Sequence, residues 1–187
     1  MNILEIFINS IELIITLDPE LWDIIILSLF VSFTALIIAS ILGFLIGYYL
    51  ALYNFFLKKI LLVLLNSLMG IPPVVVGLIV YFIFASGGPL GVLQLLYTPS
   101  AMIIAQTIII FPIVVSLSHE IFSKNWLEFK DQIRSLNIPF LGSAKLLFKH
   151  SYFLLITTLL SAFGRAISEV GAVMIVGGNI DHYTRVM

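Results

Sequence analysis

Two side chains of opposite charge, Arg165 and Glu169, stand inside a long apolar segment of the chain, residues 151–176. Their spacing of four residues places them on one face of a helix, where they can pair. Charges at membrane depth are costly, so they usually face a bundle interior or a wet cavity. Two interpretations remain open: the residues line a pathway or gate, or they only neutralise each other for insertion. Small residues beside them predict close contact with another helix or subunit: Gly164, Ala166, Gly171 and Ala172.

A second motif is the segment Gly70-Ile71-Pro72-Pro73-Val74-Val75-Val76-Gly77. Two consecutive prolines cannot sit in an unbroken helix, because they remove donors and clash with the preceding turn. In lipid the freed carbonyls need partners from neighbouring helices or a wet cavity. The motif therefore predicts either a discontinuous helix beside a translocation path or an ordinary kink. For Pro112 we expect a kink only.

The third feature is the polar segment 123–150. Ile133, Leu136 and Phe140 recur at helical spacing, and Asn137-Ile138-Pro139 then ends the pattern. This predicts a short amphipathic helix. Such a helix either meets a soluble partner or rests on lipid headgroups.

Other kinds of chemistry find no support in the sequence. It contains no cysteine and no P-loop motif, and its three histidines are far apart. A net charge of -1 leaves no basic footprint for nucleic acid. We therefore predict no catalytic site and no metal site in this chain.

The composition identifies the elements that hold these motifs as membrane helices. Hydrophobic residues make up 61% of the 187 residues and charged residues 10%, against about 45–50% and about 25% in soluble domains. Two runs without Asp, Glu, Lys, Arg or His, 24–57 and 60–118, hold three spans of about 20 residues each, and residues 86–91 divide the second run. We predict an all-α polytopic bundle in one domain, residues 1–187. It has an interfacial helix at 1–17 and spans at 24–52, 61–85, 100–121 and 151–176, the last ending at Gly177-Gly178-Asn179.

The basic residues predict the orientation of the bundle. The connection between spans one and two contains Lys58 and Lys59. The connection between spans three and four contains five basic residues, from 124 to 149. Those two connections should be cytoplasmic. The acidic N-terminal segment, the uncharged 86–99 loop and residues 178–187 should lie outside. The first 57 residues contain no Lys or Arg, which argues against a cleavable signal sequence.

In this order the motifs resemble the membrane subunit of a bacterial ABC importer of the molybdate, tungstate and sulfate type. The Pro72-Pro73 segment is similar to the Pro-Pro-Val-Val-x-Gly segment of oxyanion permeases, and residues 163–172 are similar to their Phe-x-Arg-x-x-x-Glu-x-Gly-Ala segment. Residues 18–22, 173–180 and 183–187 look most like tungstate permeases. The family's E-A-A-x-x-x-G coupling pattern is degenerate here, with Asn137 in place of the glycine.

The resemblance implies the type I ABC importer fold in a bacterial cytoplasmic membrane, with a further span beyond residue 187. It implies a homodimer of permeases, an ABC ATPase dimer that carries ATP and magnesium, and an extracytoplasmic oxyanion-binding protein. No cofactor is implied for this chain, which would itself be non-catalytic. Coupling to the ATPase would fall to Asp131, Gln132, Arg134, Ser135, Leu136 and Asn137. Candidates for the translocation path or gate are Pro72, Pro73, Arg165 and Glu169.

Tungstate is the favoured cargo, with molybdate and sulfate as alternatives in the same family. Two other classes remain. A secondary transporter or channel working without ATP would need an ion or proton relay, for which the sequence offers Arg165 and Glu169 alone. A structural scaffold would need neither the Pro72-Pro73 break nor a charge pair at membrane depth.

Overall fold

A computed structural model describes residues 19–181 and 183–186, so the helix predicted at 1–17 lies outside the described residues. The described part of the chain forms helices and turns only, which confirms the all-α prediction. In chain order the elements are α1 (Pro19–Leu52), α2 (Lys58–Met69), α3 (Pro73–Phe84), a 3₁₀ turn (Gly91–Leu93), α4 (Pro99–Ser135), α5 (Phe140–Ser168) and α6 (Val170–Gly177).

Three of these helices are long and apolar enough to cross a membrane: α1, α4 and α5. The predicted span 61–85 is not one helix. Helix α2 ends at Met69 and α3 begins at Pro73, with a bend of 103° between them. The pair counts as a fourth span only if both halves are taken together. The physical reason is the one expected of Pro72-Pro73, since neither proline can continue the preceding helix.

Two other boundaries differ from the prediction. The segment 123–150 holds no separate short helix, because α4 continues to Ser135 and α5 begins at Phe140. The span predicted at 151–176 is divided at Glu169, where φ is -94° and ψ is 72°. Its end is as predicted: Gly178 adopts the left-handed conformation, with φ of 73°, and donates its N–H to the Met174 carbonyl.

Helix α1 lies against α4 along a stripe of small residues. Ala35 and Ala39 are fully buried there, and a Cβ placed on Gly43 would lie 2.7 Å from Cγ1 of Val114. A Cβ on Gly47 would overlap the Ser118 hydroxyl. Small side chains let two membrane helices approach closely where the hydrophobic effect does not drive them together.

The chain segments fall into two groups at opposite ends of the bundle. At one end the Tyr97 N–H donates to the Val176 carbonyl, and Glu20 and Asp23 line a common pocket with Asp181 and Arg185. Tyr97 belongs to the 86–99 loop, and a hydrogen bond with Tyr81 of α3 raises the pKa of its hydroxyl.

At the other end Tyr48 near the end of α1 hydrogen-bonds Ser143 at 2.8 Å. The segments predicted to lie outside therefore share one end, and those predicted to be cytoplasmic share the other.

The short helices α3 and α6 pack side by side. A Cβ on Gly77 would lie 2.8 Å from the Ala172 Cα, and one on Gly171 would lie 3.2 Å from Cγ2 of Val74. Farther along, Val80 and Phe84 of α3 share a buried cluster with Val176 of α6. Because the contacts proceed from the starts of both helices to their ends, α3 and α6 run in the same direction.

The α3–α6 contact gives a test of the fold. We expect Gly77→Ala to lower the free energy of unfolding by about 1–3 kcal/mol, because the new methyl group meets backbone atoms that cannot yield easily. Gly164→Ala is the matched control, since a Cβ there meets nothing within 4 Å. It should leave stability unchanged or raise it by up to about 1 kcal/mol through helix propensity. Thermal unfolding of the purified protein in detergent measures both, and equal stability of the two variants would contradict the packing.

Candidate functional site

The two motifs singled out in the sequence meet at the starts of α3 and α6. Each of these helices follows a break, at residues 70–72 before α3 and at Glu169 before α6. Pro72 is exposed and Pro73 half-buried. Val74 and Gly171, one residue into each helix, face each other across the contact. First-turn N–H groups of a helix carry a partial positive charge, so this region is weakly attractive to an anion.

Arg165 and Glu169 form an ion pair at this junction, with 2.7 Å between Nε of Arg165 and Oε1 of Glu169. The Nε–H makes no well-aligned hydrogen bond with an acceptor of the described residues, so the contact is mainly electrostatic. Glu169 is 14% exposed and Arg165 37%. The pairing agrees with the expectation, but it spans the end of α5 rather than an unbroken helix.

The position of each charge has a second physical reason. Arg165 lies in the last turn of α5, and Glu169 immediately precedes the first residue of α6. A cation at a helix C-terminus and an anion at a helix N-terminus both oppose the partial charge of the backbone there. The break therefore stabilises this pair in addition to the attraction between the two side chains.

Gln106 of α4, which belongs to none of the sequence motifs, also contacts this break. It is 4% exposed, and its Nε2 donates to the Ala166 carbonyl at 2.9 Å and to the Ser32 hydroxyl at 3.4 Å. The Ala166 carbonyl loses its α-helical donor at the break and accepts a longer bond, 3.3 Å, from the Glu169 N–H. Gln106 thus satisfies a carbonyl that a straight helix would have satisfied itself. The sequence signal that could have identified Gln106 is its polar amide side chain inside the predicted span 100–121.

A cavity of about 250 Å³ opens between α1, α4 and the α5–α6 break. Its polar lining comes from Ser28, Ser32, Gln106 and Glu169, and the rest is aliphatic. Oε1 of Gln106 has no hydrogen-bond partner among the described residues. Such a cavity can hold a few polar contacts but offers neither a nucleophile with a base nor a charged clamp. Among the residues described, no group of three His, Asp or Glu side chains could hold a metal ion.

The predicted coupling residues lie toward the other end of α1. The 16 residues from Ser32 to Tyr48 span about 24 Å along that helix, and Tyr48 hydrogen-bonds Ser143 near the start of α5. Asp131, Gln132, Arg134 and Ser135 form the last turn of α4, and Leu136 and Asn137 form the turn into α5. Leu136 is 71% exposed.

The turn itself is a Schellman motif. Ile138 N–H bonds to the Ile133 carbonyl and Asn137 N–H to the Arg134 carbonyl. Asn137 has φ of 48°, a conformation that glycine adopts freely and asparagine tolerates better than most residues. This explains why asparagine can stand where the coupling pattern has glycine.

The ion pair can be tested by unequal losses of stability. Arg165→Ala leaves the more buried Glu169 unpaired, so we expect a loss of about 2–3 kcal/mol, in line with the cost of an isolated charge at membrane depth. Glu169→Ala leaves the more exposed Arg165 and should cost about 1 kcal/mol. Exchanging the two residues keeps the attraction but reverses the match to the helix ends, so it should recover part of the loss. Thermal unfolding in detergent is the measurement. Single alanine variants as stable as the wild type would show that the pair contributes nothing.

Comparison with known proteins places these features in a family. Residues 39–186 match the model of the binding-protein-dependent transport system inner membrane component. The tungstate uptake system permease protein TupB of Peptoclostridium acidaminophilum is 42% identical over 99% of this chain and 81% of its own length. A probable anion ABC transporter permease protein of Haloferax volcanii is 39% identical over 82% of this chain and 66% of its own.

The TupB of Campylobacter jejuni is 38% identical over 71% of this chain and 56% of its own length. The family match covers α2 to α6 completely, together with both helix breaks and the turn at Asn137. The chain belongs to the binding-protein-dependent transport system inner membrane components, the multi-pass permease subunits of ABC transporters with the type I importer fold.

Proposed function

We propose that this chain is the membrane-spanning subunit of an ATP-driven importer and that its cargo is a tetrahedral oxyanion, tungstate. The observation that carries the proposal is 42% identity over 99% of the chain to a tungstate uptake permease. The Campylobacter jejuni relative is also a tungstate uptake system permease protein, and the Haloferax volcanii relative is described more broadly as a probable anion permease.

The chemistry of the site supports a path of low affinity. The Glu169 carboxylate in the cavity wall is already paired with Arg165, and the other polar groups of the wall are two serines and one amide. Transport requires that binding in the path be weak enough for release. In our proposal, selection between tungstate, molybdate and sulfate therefore belongs to an extracytoplasmic binding protein, and the permease supplies an alternating path.

We place the protein in a bacterial cytoplasmic membrane. The end of the bundle with Glu20, Asp23 and the 86–99 loop then lies outside, and the end with the α4–α5 turn lies in the cytoplasm. The positive-inside rule supports this orientation, because Lys58, Lys59 and the basic residues from 124 to 149 accompany the second end. The structure adds that the segments of each group lie together.

The α4–α5 turn is the docking surface in this proposal. Leu136 and Leu141 are 71% and 80% exposed at the cytoplasmic end, beside polar Asp131, Gln132, Arg134 and Ser135. An exposed apolar pair with a polar rim suits a groove on a separate ATPase subunit, which would hold ATP and magnesium. Two permease copies, each docked on one ATPase, would complete the importer.

Movement of the turn has a physical route to the candidate site. Tyr48 connects α1 to Ser143 and to the Phe140 carbonyl at the start of α5. Helix α1 in turn packs closely on α4 through Gly43 and Gly47. A force at the turn would therefore move α1, α4 and the first half of α5 together, and the α5–α6 break is where that unit can change its angle to α3 and α6. Two packed arrangements of this kind are the basis of alternating access.

The substrate is tested by ATPase stimulation of the reconstituted full-length complex. Binding protein loaded with tungstate, molybdate or sulfate is added in turn, and unloaded binding protein is the control. We expect the largest stimulation with tungstate. The binding protein loaded with its proper cargo should bind one conformation of the importer more tightly than the other, and this difference in affinity shifts the equilibrium between them. Equal stimulation by all three oxyanions would contradict a tungstate-specific importer. Uptake that persists without the ATPase subunit would instead indicate a secondary transporter.

The docking surface and the orientation are tested by cysteine chemistry. The sequence contains no cysteine, so Ser135→Cys introduces a unique thiol. We expect it to crosslink to the ATPase subunit in intact membranes and to resist impermeant maleimide added from outside. Val92→Cys in the 86–99 loop, where Val92 is 92% exposed, is the matched control and should give the opposite pattern. Labelling of Ser135→Cys from outside would reverse the topology.

A further inference from the structure

A groove at the α4–α5 hairpin is not used by the transport proposal. It has a volume of about 560 Å³ and lies beside the last turns of α4 and the first three turns of α5. Its polar lining is Lys145, Lys149 and His150 from α5 and Gln132 from α4. The groove borders the docking surface at Gln132, but Leu136 and Leu141, the apolar residues of that surface, do not line it.

The positive charges of the groove are held on one side. Lys145 and Lys149 are four residues apart, so they project from the same face of α5. The His150 ring packs edge-on against Phe129, with 4.7 Å between ring centroids. The lining contains no carboxylate in the part of the chain that is described, and the carboxylates of that region of α4, Glu128 and Asp131, lie outside it.

The basic face continues into an apolar one as α5 enters the membrane. Phe153, Ile156 and Leu160 follow Lys149 at spacings of four, three and four residues, so they lie on the same helix face. They are 68%, 46% and 64% exposed. One face of α5 thus presents two ammonium groups at its cytoplasmic end and an aliphatic and aromatic strip for the next three turns.

The polar and apolar parts meet at a defined level. Nδ2 of Asn125 donates to the Ser151 hydroxyl at 2.5 Å, which fixes α4 against α5 between the basic residues and the strip. Lys149 and His150 therefore lie where the apolar segment 151–168 begins, which is the level of lipid phosphates.

We propose that this groove is a binding site for an anionic phospholipid. The phosphate diester would lie between the ammonium groups of Lys145 and Lys149, and an acyl chain would lie along Phe153, Ile156 and Leu160. Free phosphate would use the lysines but not the strip, and an acidic protein surface would also leave the strip unused. The proposal rests on the membrane location of the chain and not on its substrate.

The test is titration of the purified permease in neutral detergent with phosphatidylglycerol, followed by native mass spectrometry, with phosphatidylcholine as the neutral lipid. For Lys145→Gln/Lys149→Gln we expect phosphatidylglycerol affinity to fall about 30-fold, because each basic residue near an anionic lipid is worth about fivefold. The matched control, Lys124→Gln/Lys130→Gln, removes the same charge from α4 outside the groove and should change affinity by no more than about twofold. Phosphatidylcholine binding should be equal in all three proteins.

Several results would overturn the lipid assignment. Equal losses in both double variants would mean diffuse attraction by the basic end of the protein. Competition by millimolar inorganic phosphate would indicate a simple anion site. Unchanged lipid preference together with lost ATPase binding would give the groove to the ATPase subunit. Lys145→Arg/Lys149→Arg retains the charge and should retain the lipid, which separates charge loss from misfolding if the glutamine variant is unstable.

Discussion

Inside a bilayer every backbone N–H and C=O group must find a partner within the protein, and the architecture of this permease depends on that constraint. The chain interrupts its helices twice in the apolar region, before α3 and before α6. At the second interruption the Ala166 carbonyl is satisfied by the Gln106 amide from another helix. At the loop that follows α3, the Leu90 N–H returns to the Ile83 carbonyl at 2.9 Å. At both places, backbone that leaves the regular helix is hydrogen-bonded to a specific partner.

Close backbone approach is the second organising feature. Glycine and alanine on α1 allow contact with α4, and Gly77 allows the same between α3 and α6. The bundle therefore divides into two tightly packed groups, the long α1–α4 pair with the start of α5 and the short α3–α6 pair. The candidate site lies at the junction of these groups, whereas the α4–α5 turn belongs to the first. This arrangement connects the turn to the site through packed helices rather than through a flexible loop.

The sequence predicted the fold class and the glycine end of α6, because they follow from charge spacing and from local backbone chemistry. At Pro72-Pro73 it left a discontinuous helix and an ordinary kink as alternatives, and the structure has the discontinuous helix. The sequence did not predict the break at Glu169, where Ser168-Glu169-Val170 contains neither proline nor glycine. That break is stabilised by Gln106, which lies 60 residues before its partner Ala166, and by charges matched to the helix ends. Pro112 lies inside α4 without interrupting it, in agreement with the expectation that this proline does no more than kink its helix. The break at Glu169 depends on a side chain from a distant segment, which a local sequence pattern cannot reveal.

The hydrogen bond from Gln106 to Ala166 also bears on how readily the site can change shape. If α5 and α6 became one helix, the Ala166 carbonyl would take the Val170 N–H and release the Gln106 amide. One hydrogen bond would replace another, and a net hydrogen bond in a protein contributes only about 0.5–1.5 kcal/mol. Hydrogen bonding at the Ala166 carbonyl therefore favours neither form strongly. The close packing of α6 against α3 and the match of Arg165 and Glu169 to the two helix ends favour the broken form.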